Sequence, residues 1–368
     1  DVSDINLSNS NLMIVSQILG ESTNGAGRLE VPVTSTGISS AFFESFDAER
    51  YSIHLGDGSG SIQPLDGGDF ILQNGGASIQ VDGLTASQSN VIVNTTVRKI
   101  GLTSKQKIFQ RSERVVINKT VVGVSTVITG LSTSQFYGTR VQDKEISLNV
   151  PDVANVVGVY ESLNQSDPVL DKLVFVSGLG LDTNSVEGEK VLGDESGAVA
   201  QITSRLSATE VEIAYLNSNR FAVGEKVTFE ESNIVSNLQN VVLGSYLDIT
   251  DGYEFDNGQK DQYYDYSRIV RKKDFGAPSR RLTVIYNAYD VPTNDTNDVY
   301  TVESYGEERY GKDIPVLKSG IRASDIVDFR PRVSKFTATD KSPFQVSARQ
   351  TWQTGGVSLV PAPNESSL

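Results

Sequence analysis

Alternation of apolar and polar residues with a period of two runs through most of this 368-residue chain. In the stretch NVIVNTTVRKIGL, Val91, Val93, Thr95 and Val97 fall on one face, and the residues between them fall on the other. Such alternation is typical of β-strands with one buried face. Clusters such as GDGSGS, DGGD and QNGG separate the alternating stretches and favour tight turns. The pattern predicts a mostly β fold of several β-sandwich and β-barrel modules in tandem, with few short helices.

Strand spacing and composition divide the chain into five predicted segments. Residues 27–107 hold about seven short strands at the spacing of a β-sandwich, which favours an immunoglobulin-like module without its cysteine pair. The predicted segments are an N-terminal connecting segment (1–26), the immunoglobulin-like β-sandwich (27–107), a β unit (108–165) continued by 248–335, a small β-barrel module (166–247), and a Gly/Pro/Ser-rich extended C-terminal arm or linker (336–368).

One nine-residue pattern occurs twice inside the predicted barrel. SVEGEKVLG (185–193) returns as FAVGEKVTF (221–229), displaced by 36 residues. Each copy places Gly-Glu-Lys before a Val, which predicts a hairpin turn that leads into a strand. Two copies are too few for a solenoid, so we expect a compact barrel, either in tandem with the other modules or inserted in the larger β unit. Gly188 and Gly224 should then occupy equivalent positions.

Helical periodicity is weak along the whole chain. The best candidates for short helices are residues 45–51 and 166–174. In the second candidate Ser166 is a suitable N-cap, and Pro168 lies near the first turn.

The residue inventory excludes several kinds of reactive site. The chain has no cysteine, and His54 is its only histidine. Disulfides, thiolate catalysis, cysteine-based zinc sites and multi-histidine metal sites are therefore excluded. The formal net charge of −14 opposes binding to nucleic acid, because phosphates would be repelled. No apolar run approaches the roughly 18 residues of a membrane helix, so no membrane insertion is predicted.

The stretch GEERYGKD (306–313) matches a phosphate-binding P-loop only superficially. Its two glycines and Lys312 fit the pattern, but Asp313 stands where Ser or Thr would bind magnesium. A P-loop also opens a helix, whereas Pro315 and β-branched residues follow here. A hairpin turn flanked by tyrosines is the favoured interpretation.

The stretch DITDGYEFDNGQKD does not have the spacing of an EF-hand calcium loop. A looser cation site on Asp251, Glu254 and Asp256 stays open, although Asp in its usual turn-forming role is favoured. The 46 Asp and Glu residues could always supply the carboxylate pair of a glycosidase. Their number therefore does not distinguish a glycosidase from any other acidic protein. We therefore predict no catalytic residue, no cofactor, no cofactor-binding residue and no metal-binding residue.

The stretch FDNGQKDQYYDYSRIVRKK (255–273) concentrates Asp, Tyr and basic residues. Six basic residues lie between 268 and 281 beside a single acid, Asp274. Basic residues with aromatics can hold single-stranded nucleic acid, but the acidic balance of the chain disfavours it. Tyr and Arg are also enriched in protein interfaces. Two interpretations stay open: the segment docks onto an acidic face of a partner, or it is a solvated hairpin with packed tyrosines.

Two stretches resemble large virion structural proteins of marine contractile-tailed phages, especially cyanophages. They are DNGQKDQYYDYSRIVRKKDFGAPSRRLTVIYNAYDV and SGIRASDIVDFRPRV, of which the first contains the DNGQKDQYYD element of a domain of uncharacterised function. The FAVGEKVTF repeat and the sandwich that ends in TSKQK are also similar to β modules found in such proteins. The specific resemblance covers roughly a quarter of the chain, and it supplies no catalytic residues.

The resemblance implies a non-enzymatic structural component of a phage virion, in the tail baseplate or the tail-fibre network. Its expected partners are other phage tail and baseplate proteins and further copies of itself, in an extracellular particle. Two alternatives stay open. One is a fibre protein that binds or depolymerises a host-surface glycan, and the other is a bacterial surface adhesin.

Overall fold

The computed structural model describes residues 10–56, 61–121, 129–292, 294–295, 297–306, 314, 320, 328, 330–333, 352–354 and 357–358. The chain divides into two compact units, Asp1–Ser104 and Lys105–Leu368. The predicted mostly β class is confirmed, since strands account for nearly all the regular structure in the described residues. The boundary falls three residues before the predicted one, because Lys105 and Lys107 form hydrogen bonds inside the second unit.

The first unit is a sandwich of two sheets. One sheet has the order β1-β8-β4-β5, with β3 also paired to β8, and the other has the order β2-β7-β6. Alternate residues of both sheets fill one core, which includes Leu29, Val31, Ile79, Val93 and Val97. The strands are β1 (Asn11–Glu21), β2 (Leu29–Pro32), β3 (Ala41–Phe43), β4 (Ser52–His54), β5 (Ile62–Gln63), β6 (Phe70–Gln73), β7 (Ser78–Val81) and β8 (Val91–Ile100), with 3-10 turns at Val33–Thr36 and Asn74–Gly76.

The predicted N-terminal connecting segment (1–26) is wrong for the residues of β1. This strand pairs with β8 from Asn11↔Ile100 to Glu21↔Val91 and buries Ile18 in the core. Exposure alternates along β1 as far as Ile18, although apolar residues lie on both of its faces, and pairing with β8 gives its backbone groups their hydrogen bonds. The sandwich therefore begins well before residue 27. That its type is immunoglobulin-like stays a prediction.

The second unit contains a second sandwich and a barrel. Its strands in chain order are β9 (Ile108–Ile117), β10 (Lys119–Thr120), β11 (Ser132–Thr133), β12 (Glu145–Pro151), β13 (Val153–Ser162), β14 (Asp171–Phe175), β15 (Lys190–Gly193), β16 (Val199–Ser207), β17 (Glu210–Tyr215), β18 (Lys226–Phe229), β19 (Val235–Val242), β20 (Tyr246–Asp248), β21 (Tyr253–Asp256), β22 (Tyr266–Arg271) and β23 (Leu282–Asp290). A short helix spans Leu181–Asn184, and 3-10 turns span Thr250–Gly252 and Val302–Ser304.

The second sandwich combines the stretches 108–165 and 248–290, as the sequence predicts. One sheet has the order β20-β13-β23-β9 and the other β12-β22-β21, so each contains strands from both stretches. Ile146, Leu148, Val159, Ile269 and Val284 pack between the two sheets. Strands far apart in sequence are thus hydrogen-bonded neighbours, and the region between them leaves the sandwich as one excursion.

That excursion is the barrel, which is closed by six strands in the order β14-β17-β16-β15-β18-β19. It leaves after β13 and returns at β20, and these two strands pair directly through Tyr160↔Asp248 and Ser162↔Tyr246. The barrel is therefore an insertion in a hairpin of the sandwich, which decides between the tandem and inserted alternatives. Phe175, Ile202, Ile213 and Phe229 lie in its core.

The two Gly-Glu-Lys turns occupy equivalent positions in the barrel, as predicted. Gly188 has φ +83° and Gly224 has φ +94°, a region that favours glycine. The Gly188 amide donates to Ile202 O at 2.9 Å, and the Gly224 amide donates to Leu238 O at 2.8 Å. The strands that follow the turns, β15 and β18, pair with each other. The barrel thus consists of two β-β-β halves related by a displacement of 36 residues.

Each turn is fastened by its buried glutamate. Glu225 is 1% exposed, and it accepts hydrogen bonds from the Ala222, Glu195 and Ser196 amides and from the Ser196 hydroxyl. Glu189 binds the Val186, Glu231 and Ser232 amides in the same way. Burial raises the pKa of Glu225, but these hydrogen bonds outweigh burial and lower it below its ordinary value.

The predicted short helices at 45–51 and 166–174 are wrong. Residues 45–47 have no regular structure and 48–50 form a turn, whereas the second stretch leads into β14. Alternation of buried and partly exposed residues in β14 gives that stretch a strand pattern once the barrel closes around it. The predicted cap at Ser166 therefore starts no helix.

Most of the predicted C-terminal arm (336–368) lies outside the described residues. Its described residues form β25 (Trp352–Thr354) and β26 (Val357–Ser358). Together with β24 (Pro331–Val333) they form a three-stranded antiparallel sheet. At these positions the chain is paired rather than a free arm.

The two buried glutamates generate a prediction about barrel stability. Glu225→Gln and Glu189→Gln should each lower the free energy of unfolding of the barrel by about 1–3 kcal/mol, because the new amide nitrogen faces backbone N–H donors. Urea denaturation followed by circular dichroism measures the change. Glu187→Gln is the matched control, since Glu187 lies exposed in the same turn. Equal stability of all three variants would contradict this role of the glutamates.

Candidate functional site

The segment 256–266 is a tight excursion between β21 and β22. Its entry is fixed by the Asp256 carboxylate, which accepts a hydrogen bond from the Gly258 amide at 2.9 Å. Gly258 has φ +74°, and a Cβ there would lie 2.3 Å from the carbonyl oxygen of Asp265. The Asp265 amide then donates to Gly258 O at 2.8 Å and closes the loop. Glycine is therefore required for this loop to fold back on itself.

The two adjacent tyrosines of the loop have opposite environments. The side chain of Tyr264 is completely buried, while Tyr263 is 36% exposed. One tyrosine of the pair therefore packs inward, while the other stays in contact with solvent. The Tyr264 hydroxyl lies in a cluster of charged side chains inside the second unit.

The cluster begins at Lys107, whose side chain is completely buried just before β9. Its ammonium donates to Asp152 Oδ2 at 2.6 Å, to the Tyr305 hydroxyl at 2.8 Å and to the Tyr264 hydroxyl at 3.4 Å. Four tyrosine rings surround this ammonium with centroids 4.5 to 5.8 Å away, namely those of Tyr264, Tyr289, Tyr300 and Tyr305. Cation–π attraction adds to the ion pair because the site excludes water.

The second cation of the cluster is Arg330. Its guanidinium binds Asp328 at 2.9 Å through Nε and the Tyr264 hydroxyl at 2.8 Å through Nη2. The Arg330 guanidinium also lies over the Tyr264 ring, 4.3 Å from the ring centroid. The Tyr264 hydroxyl in turn donates to Asp328. Arg330 and Asp328 therefore bind each other and share the hydroxyl of one tyrosine.

Gln259 connects the two ion pairs into one network. Its amide nitrogen donates to Asp152 Oδ1 at 2.8 Å, and its amide oxygen accepts from Arg330 at 3.0 Å. The buried charge network, as we name it, consists of two cations, two carboxylates and the polar side chains between them, namely Lys107, Asp152, Gln259, Tyr264, Tyr305, Asp328 and Arg330. It joins five separate stretches of the second unit.

The surroundings of Asp328 and Arg330 favour the charged forms of these two residues. Burial raises the pKa of Asp328, but the hydrogen bond from Arg330 and the nearby charges of Lys107 and Arg330 outweigh burial, so its pKa falls to about 2. Burial lowers the pKa of Arg330, and the hydrogen bond and charge of Asp328 reverse that effect and raise it. A general acid or base needs a pKa near the working pH. Asp328 is far from that range, so the network is suited to hold segments together.

The basic segment 268–281 binds mainly to its own chain. Arg268 pairs with Asp265, with Glu145 at 3.3 Å and with Asp256 at 3.8 Å. Arg271 donates to two backbone carbonyl oxygens, those of Phe275 at 2.9 Å and Gln142 at 3.3 Å.

Two further basic residues of the segment, Lys272 and Arg281, are also bound internally. Lys272 donates to Asp251 O at 2.8 Å, and Arg281 donates to Asp167 and Gly130 O, each at 2.9 Å. Docking of this segment onto an acidic partner stays an untested hypothesis, but these groups already have partners that docking would have to replace.

The other candidate residues do not form a site in the described residues. Asp251 and Glu254 are exposed, and no group of three or more His, Asp or Glu side chains there could hold a metal ion. His54 is partly exposed in β4 beside the buried Ile53. Of the P-loop-like stretch, 307–313 lie outside the described residues.

Sequence reasoning singled out the stretch that contains Tyr264 but missed the charged partners of this tyrosine. Lys107, Asp152 and the Asp328–Arg330 pair lie far apart in the chain, and each stands in an unremarkable polar context. A usable signal was present in the two resembling stretches: the first contains Gln259 and Tyr264, and the second contains Asp328 and Arg330. The buried charge network is where these two stretches meet.

Asp328 makes the stability of the second unit depend on pH. Its folded pKa of about 2 lies below the ordinary 3.8, so its contribution is present above about pH 4 and is lost as the pH falls toward 2. We expect a contribution of about 2 kcal/mol. The stability difference between the wild type and Asp328→Asn, measured by urea denaturation at pH 5.5 and at pH 2.5, should shrink by most of that amount at the lower pH.

Asp274→Asn is the matched control for this pH effect, because Asp274 is exposed. Its difference from the wild type should change little between the two pH values. A pH-independent difference for Asp328→Asn would contradict the assigned role of Asp328.

The Lys107–Asp152 pair should behave as a coupled unit. Lys107→Met leaves Asp152 as an unpaired buried charge and should destabilise the second unit by about 3–5 kcal/mol. Lys107→Met combined with Asp152→Asn should be destabilised by clearly less than the sum of the single changes. A double-mutant cycle from urea denaturation measures the coupling, and strict additivity would show that the pair does not interact as described.

In the described residues no helix has the length and apolar character needed to cross a membrane.

Comparisons of the whole chain with other proteins add no identification. No protein-family model, no curated protein and no solved structure matches the chain significantly.

Proposed function

We propose that the chain is a non-enzymatic structural component of a phage virion, in the tail baseplate or the tail-fibre network. The observation that carries the proposal is the buried charge network. The stretches that resemble virion proteins use their Asp, Tyr and Arg side chains to bind one another inside the protein. Residues with that role hold segments in place, which is what a component under mechanical load requires.

The modular β construction supports the same proposal. The inserted barrel and the sandwich share buried polar contacts, so the second unit offers a rigid body for assembly. Buried contacts are screened by salt much less than exposed ion pairs. A particle that works outside the cell, in seawater for a marine phage, benefits from that property. Its partners are other tail or baseplate proteins and, in our proposal, further copies of the chain.

The test is the composition of purified particles. Mass spectrometry of virions of the encoding phage, purified by density gradient, should find this chain at a fixed copy number relative to the tail-tube protein. Antibodies against the chain should label the tail or baseplate in electron micrographs. Presence in infected cells together with absence from purified virions would contradict the proposal.

A second assay separates this role from the glycan-binding alternative. The purified chain, incubated with the surface polysaccharide of the host, should neither bind it saturably nor shorten it. Cleavage that a single Asp or Glu substitution abolishes would favour the depolymerase instead.

A further inference from the structure

The barrel carries two equivalent faces, and the sandwich covers one of them. The covering element is β9, which has a bulge where Arg111 and Ser112 stand opposite the single residue Asn287. Ser112 has φ +54°, a left-handed conformation that is uncommon for a residue other than glycine. A bulge redirects side chains out of the regular alternation. Here it directs Arg111 and Ser112 toward the barrel.

Polar contacts at this covered face are fully buried. The Ser112 hydroxyl donates to Ile202 O at 2.7 Å, and the Gln201 amide nitrogen donates to Ser112 Oγ at 2.9 Å and to Asn287 Oδ1 at 3.0 Å. Ser112, Gln201 and Asn287 are each less than 10% exposed. Buried hydrogen bonds of this kind fix orientation, because any other docking angle would leave polar groups unpaired.

Arg111 completes the covered face at the first Gly-Glu-Lys turn. A Cβ on Gly188 would lie 2.2 Å from Cβ of Arg111, so the arginine stem rests directly on the glycine. The guanidinium pairs with Glu231 in the loop that Glu189 fastens. The barrel thus contributes three groups to this contact. They are Gly188, which has no side chain, the carboxylate of Glu231 and the side-chain amide of Gln201.

The second half of the barrel repeats these elements on an exposed face. The displacement of 36 residues relates Gly188 to Gly224, Gln201 to Asn237 and Glu231 to Glu195. Asn237 and Glu195 are exposed, and a Cβ on Gly224 would meet no atom of the described residues within 4 Å. Val223 beside this glycine is 63% exposed, which leaves apolar surface in water.

We propose that this second barrel face, formed by Glu195, Val223, Gly224 and Asn237, binds a β-strand of a different protein that presents an arginine and a neighbouring hydroxyl side chain. The arginine stem rests on Gly224, its guanidinium pairs with Glu195, and the hydroxyl bonds to Asn237. Charge complementarity selects a basic strand. The β9 strand of a second copy is not the occupant, because its Arg111 and Ser112 are already bound to its own barrel.

The inference rests on the proposed structural role, since a docking face needs an assembly partner. The proposed function and the binding proposed for the second barrel face are tested by different experiments. Absence of the chain from virions defeats the proposed location, whereas only the binding experiment below tests the second barrel face.

The experiment measures binding to the unsubstituted full chain by fluorescence anisotropy, with the fluorophore attached to the probe, because a label on Val223 would occupy the proposed face. The probe is a cyclic peptide that joins the β9 sequence Ile108–Ile117 to the β23 sequence Leu282–Asp290, which reproduces the bulged strand pair. We expect saturable binding that depends on the arginine of the peptide. Glu195→Lys should weaken it by about tenfold or more, because like charges placed opposite each other are strongly unfavourable.

Two controls make the result specific. The same peptide with Arg111→Glu should not bind, and the variant Glu254→Lys, at an exposed glutamate in β21, should bind the original peptide as the unsubstituted chain does. Absent binding, or binding that is equal in Glu195→Lys, would overturn the proposal. Self-association of the unlabelled chain that Glu195→Lys abolishes, measured by light scattering, would also overturn it, because the occupant would then be a second copy.

Discussion

Four buried charges in the second unit must balance one another, and the course of the surrounding chain depends on that balance. Removing one partner of such a pair leaves a desolvated charge that costs several kcal/mol. Lys107 and Asp152 lie at the starts of β9 and β13, whereas Asp328 and Arg330 arrive from the far end of the unit. Tyr264 and Gln259 bond to both pairs. Alternative arrangements of these stretches would separate the charges, so the network selects one arrangement of the β framework.

A different kind of contact holds the barrel. Amide and hydroxyl groups of Ser112, Gln201 and Asn287 replace ion pairs at the centre of that contact, with Arg111 and Glu231 toward its more exposed side. An apolar cluster of Val157, Tyr160, Leu170, Ala214 and Ile285 adds burial where the barrel chain leaves the sandwich. Apolar area supplies the driving force for docking, while the hydrogen bonds decide its angle. This contact explains the left-handed conformation of Ser112, because a regular β9 would not direct the Ser112 side chain toward the barrel.

Local pattern predicted much of the framework and little of the charge network. Strands such as β8 have an alternation that is decided within a few residues, and the paired Gly-Glu-Lys turns require glycine at positive φ, so both could be predicted. The helix expected near Ser166 is wrong because barrel closure outweighs weak local preferences. Partners such as Lys107 and Tyr305 are brought together only by tertiary structure. No local periodicity marks a residue whose partner lies 198 positions away.

The two halves of the barrel explain how one protein can carry an internal joint and, as we propose, a second joint for a partner. A repeated β-β-β unit that closes on itself must present the same turn twice, because strand pairing between β15 and β18 relates the two turns directly. One of the two equivalent barrel faces is covered, because the sandwich in which the barrel is inserted packs against it. The short connections from β13 and to β20 make that contact intramolecular, so it forms at high effective concentration. The second copy has no such tether and stays exposed. Asymmetric use of a symmetric barrel therefore follows from its insertion in a hairpin, without any special sequence on the exposed face.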